Sequence, residues 1–488
     1  MTASISVEGF DRSEHGLAVG FIGLALLLGT ALAIGGNLAF VGFIGLVFIA
    51  AVACRPMVGV YSLVALTPLV AAQERGFVVP GLRIHEAILF AVLAGIGVRF
   101  LVGHALGHRV VLRPHRVDIV FAVLAIAGSL LPAIMMIGRG RDITGVGVGQ
   151  LLVFPRFFLL YMVVRVAVTK AIELRRTIIV MGTAGLLVSV VALVQTVVLV
   201  RVNDLLLRFG AEQTEHFVVG KTTTTIGNAI MAGMYFSMLL AVALSLLFRD
   251  LANRHDPSRQ NLKRSLIFAG AAGVYFLAAM ATGQLSTLIA CGLALVVGLV
   301  ANRRSRYLGV IPLVGGAGLL ALWPVFSKRL DEFRGFDELP RSWADRVDNL
   351  NEFFLPELLT DDNWLWGVRP VTSTENLDIV TGLVFLESGY LAMLWIGGVF
   401  LLFAAVALQI TAIQASWQQV RRADPWVAAA AVGTFVGFVA VSLLMLIDSH
   451  LTFRASADLL YTLMALSMFS TVAAPLTMKH RNCADFPG

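Results

Sequence analysis

Apolar runs long enough to cross a bilayer, separated by short polar stretches, fill most of the chain. They lie near residues 16–34, 37–53, 57–72, 84–103, 117–137, 148–168, 177–200 and 226–247. Six more lie near 265–282, 285–301, 307–324, 382–407, 426–447 and 456–475. About 20 apolar residues at 1.5 Å per residue span the hydrocarbon core, and lipid offers the backbone no partner except its own helix. The pattern predicts an all-α polytopic membrane protein with about fourteen transmembrane helices. Residues 1–324 hold helices 1–11, 325–381 form one long polar loop, and 382–488 hold helices 12–14 and a tail. Glu8, Asp11 and Glu14 stand against Arg12 before the first run, unlike the basic start of a signal peptide, so the first helix is expected to be retained.

Lys and Arg fall mainly in alternate short loops. One side collects Arg109, Arg113, Arg116, Arg303, Arg304, Arg306, Arg421 and Arg422, and both termini share that side. The positive-inside rule makes it cytoplasmic, which places the long loop in the periplasm of a bacterial inner membrane. Composition agrees: 58% of the 488 residues are hydrophobic and 14% charged, where soluble domains carry about 25% charged residues. The net charge of +7 is accounted for by these loops. No basic helix or aromatic RNA-reading surface suggests nucleic acid.

In the long loop, Ser342 and Asp345 have capping-box spacing, and Trp343, Val347, Leu350 and Phe354 form a helical stripe. An amphipathic helix over 341–355, closed by Pro356 and lying on the membrane surface, is expected. The loop carries Lys328, Arg329, Arg334, Arg341, Arg346 and Arg369 among twelve acidic residues, a balance that also suits an ordinary solvated loop.

Few residues inside the spans carry chemistry. Arg156 lies about eight residues into the sixth run, roughly 12 Å deep, where a charge costs about 2.5 kcal/mol or more. It needs a polar cavity or a paired neighbour. Arg75, Arg83, Arg139, Arg141, Arg201, Arg208, Lys221 and Arg454 reach the periplasmic side, where guanidinium groups suit pyrophosphate. Glu387, at the start of the twelfth span, and His450, in the loop before the fourteenth, are candidates for acid–base work or for structural roles. His104 and His108 have i, i+4 spacing but lie in a basic loop without a carboxylate, so no metal site is expected. The glycines of 145–149 lack the strand and Lys of a phosphate loop. Cys54, Cys291 and Cys483 have no disulfide or metal spacing.

Three segments resemble the O-antigen ligase/polymerase superfamily (Wzy and WaaL types). Arg346 followed by Trp364-Leu365-Trp366-Gly367-Val368 is similar to that family's loop pattern. Leu386-Glu387-Ser388-Gly389-Tyr390-Leu391 resembles its acid-x-Gly opening of the next span, and Ile226-Gly227-Asn228 after Lys221 its earlier loop motif. The similarity covers residues 220–410. Lys221 stands where the family often has Arg, and Gln284-Leu285 where it often has Ser-Arg. Leu377-Asp378 replaces the His-Asn pair of the ligase branch, which favours a polymerase.

The resemblance implies a membrane glycosyltransferase that moves a glycan chain from undecaprenyl pyrophosphate to the next lipid-linked repeat unit, without a cofactor. Arg346, Arg341 and Arg156 would hold the pyrophosphate, with Arg139, Lys221 and Arg454 as further contacts. Glu387 or His450 would be the base, and Asp378 would contact sugar. The implied partners are the lipid-linked oligosaccharide, the bilayer and a chain-length regulator protein. Two readings stay open beside it: an O-antigen ligase, and a lipid-linked oligosaccharide flippase or other transporter.

Overall fold

The structure, a computed structural model, describes residues 37–79, 81–107, 114–141, 144–208, 222–252, 259–302, 346–375, 383–422 and 424–469, with four isolated residues between 316 and 327. Its helices are α1 (Asn37–Cys54), α2 (Pro56–Val70), α3 (Ile84–Ala105), α4 (Arg116–Ala127), α5 (Leu130–Gly138), α6 (Gly145–Leu151), α7 (Val153–Ala167), α8 (Ala171–Val197) and α9 (Leu199–Arg208). They continue with α10 (Ala229–Ala252), α11 (Arg259–Ala281), α12 (Leu285–Ala301), α13 (Leu355–Leu358), α14 (Asn363–Trp366), α15 (Gly389–Gln419), α16 (Pro425–Leu444) and α17 (Ser456–Ser467). One hairpin pairs β1 (Ser373–Glu375) antiparallel to β2 (Leu383–Phe385).

Among the described residues, eight helical stretches are long and apolar enough to cross a membrane, counting α4–α5 and α6–α7 as one each, and α1, α2 and α12 are shorter apolar helices. Helices cover most of each predicted run that falls on described residues, α17 covering the first part of the last one. The run expected from 382 opens on β2, and its helix α15 spans Gly389–Gln419. The runs at 16–34 and most of 307–324 lie outside them. Large apolar side chains face outwards, as on Ile137 (70% exposed) and Phe403 (69%), which suits lipid rather than water. The chain is thus an all-α, multi-pass membrane protein.

α10 and α16 form the centre, with 83% and 78% of their most apolar stretch buried, against 17% for α3 at the rim. The alanines at 428–431 of α16 are fully buried, and such small side chains let helices approach closely where no hydrophobic effect drives them together.

The spans break where loops press in. α15 loses helical geometry at Gly397 and Gly398, and the Trp364–Val368 turn enters that break. Gly398 has φ +64°, and a Cβ there would lie 2.0 Å from the Leu365 carbonyl oxygen. Gly367, at φ +89°, would meet the Ile396 oxygen at 2.6 Å. Val368 N donates to the Trp395 oxygen at 2.7 Å, across the gap that two missing side chains create.

The long loop departs from expectation in one element. Pro356 does not close its helix. A π-helical stretch at Leu350–Phe354 hands over to α13 with Leu355 N bonded to the Leu350 oxygen, so the proline sits in the first turn of α13, where its missing N–H costs nothing. Nor does the stripe only face the membrane: Phe354 is buried edge-on against Trp395, with ring centroids 5.1 Å apart, beside Leu358, Val368 and Leu386. Val347 stays exposed; Ser342 and Trp343 lie outside the described residues.

Candidate functional site

Two clusters of charge occupy the end of the bundle that carries the long loop. The first joins Arg346, Glu387 and Asp448. Glu387 stands two residues before α15, set there by the hairpin: Ser373 pairs with Phe385, and Leu386 N donates to the Thr372 oxygen at 2.9 Å. Asp448 follows the end of α16, and the two segments touch because residue 389 is glycine. Gly389 N donates to the Met445 oxygen at 2.9 Å, and a Cβ on it would lie 2.8 Å from the Asp448 oxygen.

Arg346 Nε pairs with Glu387 Oε2. Both side chains keep contact with solvent, at 32% and 40% exposure, although Glu387 Oε2 itself is buried. Burial raises the Glu387 carboxyl above its ordinary range, opposed by the Arg346 guanidinium. Asp448 is pushed up to about 6, first by burial and then by the charge of Glu387, with Arg346 opposing. A guanidinium thus stands beside two carboxyls that hold protons more tightly than free ones. Such groups suit proton transfer near neutral pH, and the arginine suits an anion.

The second cluster is buried. Arg156 Nη1 donates to Glu86 Oε1 at 3.1 Å and lies 3.4 Å from His85 Nε2, while its Nη2 is 3.9 Å from Asp458 Oδ1. Arg75 Nη2 reaches the same Glu86 oxygen at 3.3 Å, and the Arg83 backbone N–H donates to Glu86 Oε2 at 3.1 Å. The Arg156 guanidinium also stacks on the Phe157 ring, 4.3 Å from its centroid. The choice between a cavity and a partner for Arg156 therefore falls to a carboxylate partner. A cavity of about 20 Å³, large enough for one or two waters, does lie beside Asp458, lined by Thr67, Pro68, Tyr235 and Thr462.

The other expected site residues scatter. His450 is 2% exposed, its ring packed 5.1 Å from Phe453, and burial pushes it down to about 4, so it stands neutral and weakly basic. Arg139 holds the loop: its Nη1 donates to Asn363 Oδ1 at 2.7 Å and to the Gly367 oxygen at 2.9 Å. Arg141 does the same to the Val368 oxygen at 2.8 Å. Arg454 donates to the Ala71 oxygen at 3.3 Å, beside the buried cluster. Arg341, Asp378 and Lys221 lie outside the described residues. Asn228, in the third motif, caps α10, accepting from Ile230 N at 2.8 Å.

The sequence reading missed Glu86, His85, Asp458 and Asp448. A signal for Glu86 existed: a charge as deep as Arg156 requires a counter-charge, and few carboxylates lie in or beside the spans. Asp448 had no comparable signal, because its neighbour Glu387 belongs to another helix.

Comparison with protein-family models, curated proteins and solved structures finds no match for this chain.

Proposed function

We propose that the chain is a polysaccharide polymerase with fourteen spans in a bacterial inner membrane, both termini cytoplasmic, acting at the periplasmic face. Its donor is a glycan chain on undecaprenyl pyrophosphate, and its acceptor is a sugar hydroxyl of the next lipid-linked repeat unit. The observation that carries this reading is the half-exposed Arg346–Glu387 pair beside Asp448. Asp448 takes the proton of the attacking sugar hydroxyl while the hydroxyl oxygen bonds to the anomeric carbon. The bond from that carbon to the pyrophosphate oxygen breaks, and undecaprenyl pyrophosphate leaves with the electron pair. Arg346 neutralises the charge gathering on the leaving group, and Glu387 orients Arg346. Asp448 thereby takes the role of base that Glu387 or His450 was expected to fill.

Gel analysis of lipid-linked and surface glycan in a deletion strain tests the proposal. Single repeat units in the deletion, with ladders restored by wild type but not by Arg346→Ala, are expected. Arg346→Lys should restore little, because a single ammonium cannot make the bidentate contact. Long lipid-linked polymer that never reaches its final acceptor would instead identify a ligase.

One observation favours a second reading. Breaks at Gly397–Gly398, between α4 and α5, and between α6 and α7, together with the buried Arg156–Glu86–Asp458 cluster, resemble the broken helices and internal charges of transporters. Single units trapped on the cytoplasmic side in the deletion strain would support transport.

A further inference from the structure

The proposed chemistry depends on how Glu387 and Asp448 are held together, and the contacts that do so lie beneath them, between α15 and α16. The Met445 oxygen accepts from Gly389 N at 2.9 Å and from Tyr390 N at 3.3 Å. The Tyr390 hydroxyl reaches the Ser442 oxygen at 2.8 Å and Gln409 Oε1 at 2.9 Å. Ser442 Oγ reaches the same Gln409 oxygen at 3.0 Å, and Gln409 Nε2 donates to Met445 Sδ at 3.0 Å. Gln409 is 3% exposed, so an amide has been placed between two apolar helices at a desolvation cost.

Its neighbours do not need it. Tyr390 can give its proton to the Ser442 oxygen alone, and Ser442 Oγ has a second acceptor in the Phe438 oxygen at 2.7 Å. What Gln409 adds is a link from the middle of α15 to the bonds that Tyr390 already makes with Ser442 and Met445, which fixes the register of the two helices. Tyr390 lies three residues from Glu387, and Met445 three from Asp448.

We infer that Gln409 is a positioning residue: through Tyr390, Ser442 and Met445 it sets the separation of the Glu387 and Asp448 carboxyls. The geometry stands independently, whereas its catalytic consequence rests on the polymerase reading. Among the described residues, the charged groups facing Asp448 are Glu387 and Arg346, both from outside its own loop. A change in separation therefore changes the pH at which Asp448 ionises.

The test uses the full chain in detergent, as Gln409→Leu and Tyr390→Phe. Thermal unfolding, an infrared titration of the Asp448 carboxyl (assigned with Asp448→Asn) and the pH profile of polymer formation are measured on each. Unfolding like wild type is expected, because no donor is stranded. The Asp448 midpoint should move by at least about half a pH unit, and kcat should fall about tenfold with KM unchanged, as for a misplaced catalytic group. Wild-type midpoints in both folded variants overturn the inference. So does unfolding of both, which would make the network structural glue. If wild type forms no polymer, the polymerase reading fails, and the infrared midpoint still decides the positioning role.

Discussion

The two ends of the helical bundle use arginine differently. At the end opposite the long loop, guanidinium groups bond to the last carbonyls of helices. Arg99 donates to the Ala53 and Cys54 oxygens at 3.2 and 3.1 Å, closing α1. Arg165 reaches the Met468 oxygen at 3.0 Å after α17, and Arg249 reaches the Val420 and Arg422 oxygens at 2.7 and 2.8 Å after α15. These contacts complete unpaired carbonyls and complement the helix dipole. Arg165 also pairs with Asp118, which caps the start of α4 at His115 N and bonds Tyr161. At the loop end, Arg75, Arg156 and Arg346 meet Glu86 and Glu387 instead. Pairing with backbone fixes an arginine for good. Pairing with a carboxylate leaves a charge that a proton or a ligand can replace, which is why the proposed chemistry is assigned to that end. Arg139 and Arg141 bond carbonyls there too, and they hold the loop in place.

The largest effect expected from breaking this arrangement is on stability. Arg156→Ala leaves Glu86 with Arg75 and the Arg83 N–H, and Asp458 with the Ala455 N–H, and loss of one member of a buried pair costs about 3–5 kcal/mol. Thermal unfolding in detergent measures it. Combining Arg156→Met with Glu86→Gln removes both charges and should recover a substantial part of the loss. Equal instability of single and double variants would show that packing, not charge, holds Arg156.

Asp448→Asn sharpens the contrast through pH. The folded protein holds the Asp448 proton up to about pH 6, against an ordinary value of 3.8. An acid with a raised value gives its full stability below its ordinary value and loses it as pH rises through the folded one. Asn stays neutral, so the variant should match wild type at pH 4 and exceed it by about 1–2 kcal/mol at pH 8. Polymer formation should behave oppositely: wild type slows as pH falls below about 6, when the base is protonated, and the variant is inactive throughout. A variant with the wild-type pH profile would remove Asp448 from the proposed chemistry.

Much of the fold was legible because lipid imposes a simple rule: any run of about 20 apolar residues must be helical, and α3, α8, α10 and α16 lie where the runs do. The breaks were not, since the gap at Gly397–Gly398 exists to admit the Leu365 carbonyl from a distant loop. Pro356 misled for a related reason: a π-helical stretch moved the helix boundary around it. In the site, Arg346 and Glu387 were each expected on the resemblance, and their pairing is a tertiary fact. Glu86 and Arg156 lie 70 residues apart, and no spacing rule connects them. Arg139 looked like a ligand contact because surface arginines on one side of a membrane look alike until their acceptors are known.

The smallest effect belongs to the opposite end. Arg249→Ala removes two bonds to carbonyls after α15, one of them exposed, and leaves water able to replace part of what is lost. A loss of about 1 kcal/mol in thermal unfolding is expected, near the value of one net hydrogen bond. Polymer length and the pH profile should not change, because no carboxylate of the site touches this residue among the described contacts. A matching loss of stability with unaltered activity would confirm that arginine here completes helices. If Arg249→Ala altered the pH profile instead, the two ends would be coupled through α15, whose first residues follow Glu387 and whose last turn Arg249 closes. The contrast would then be between two ends of one lever rather than between a scaffold and a site.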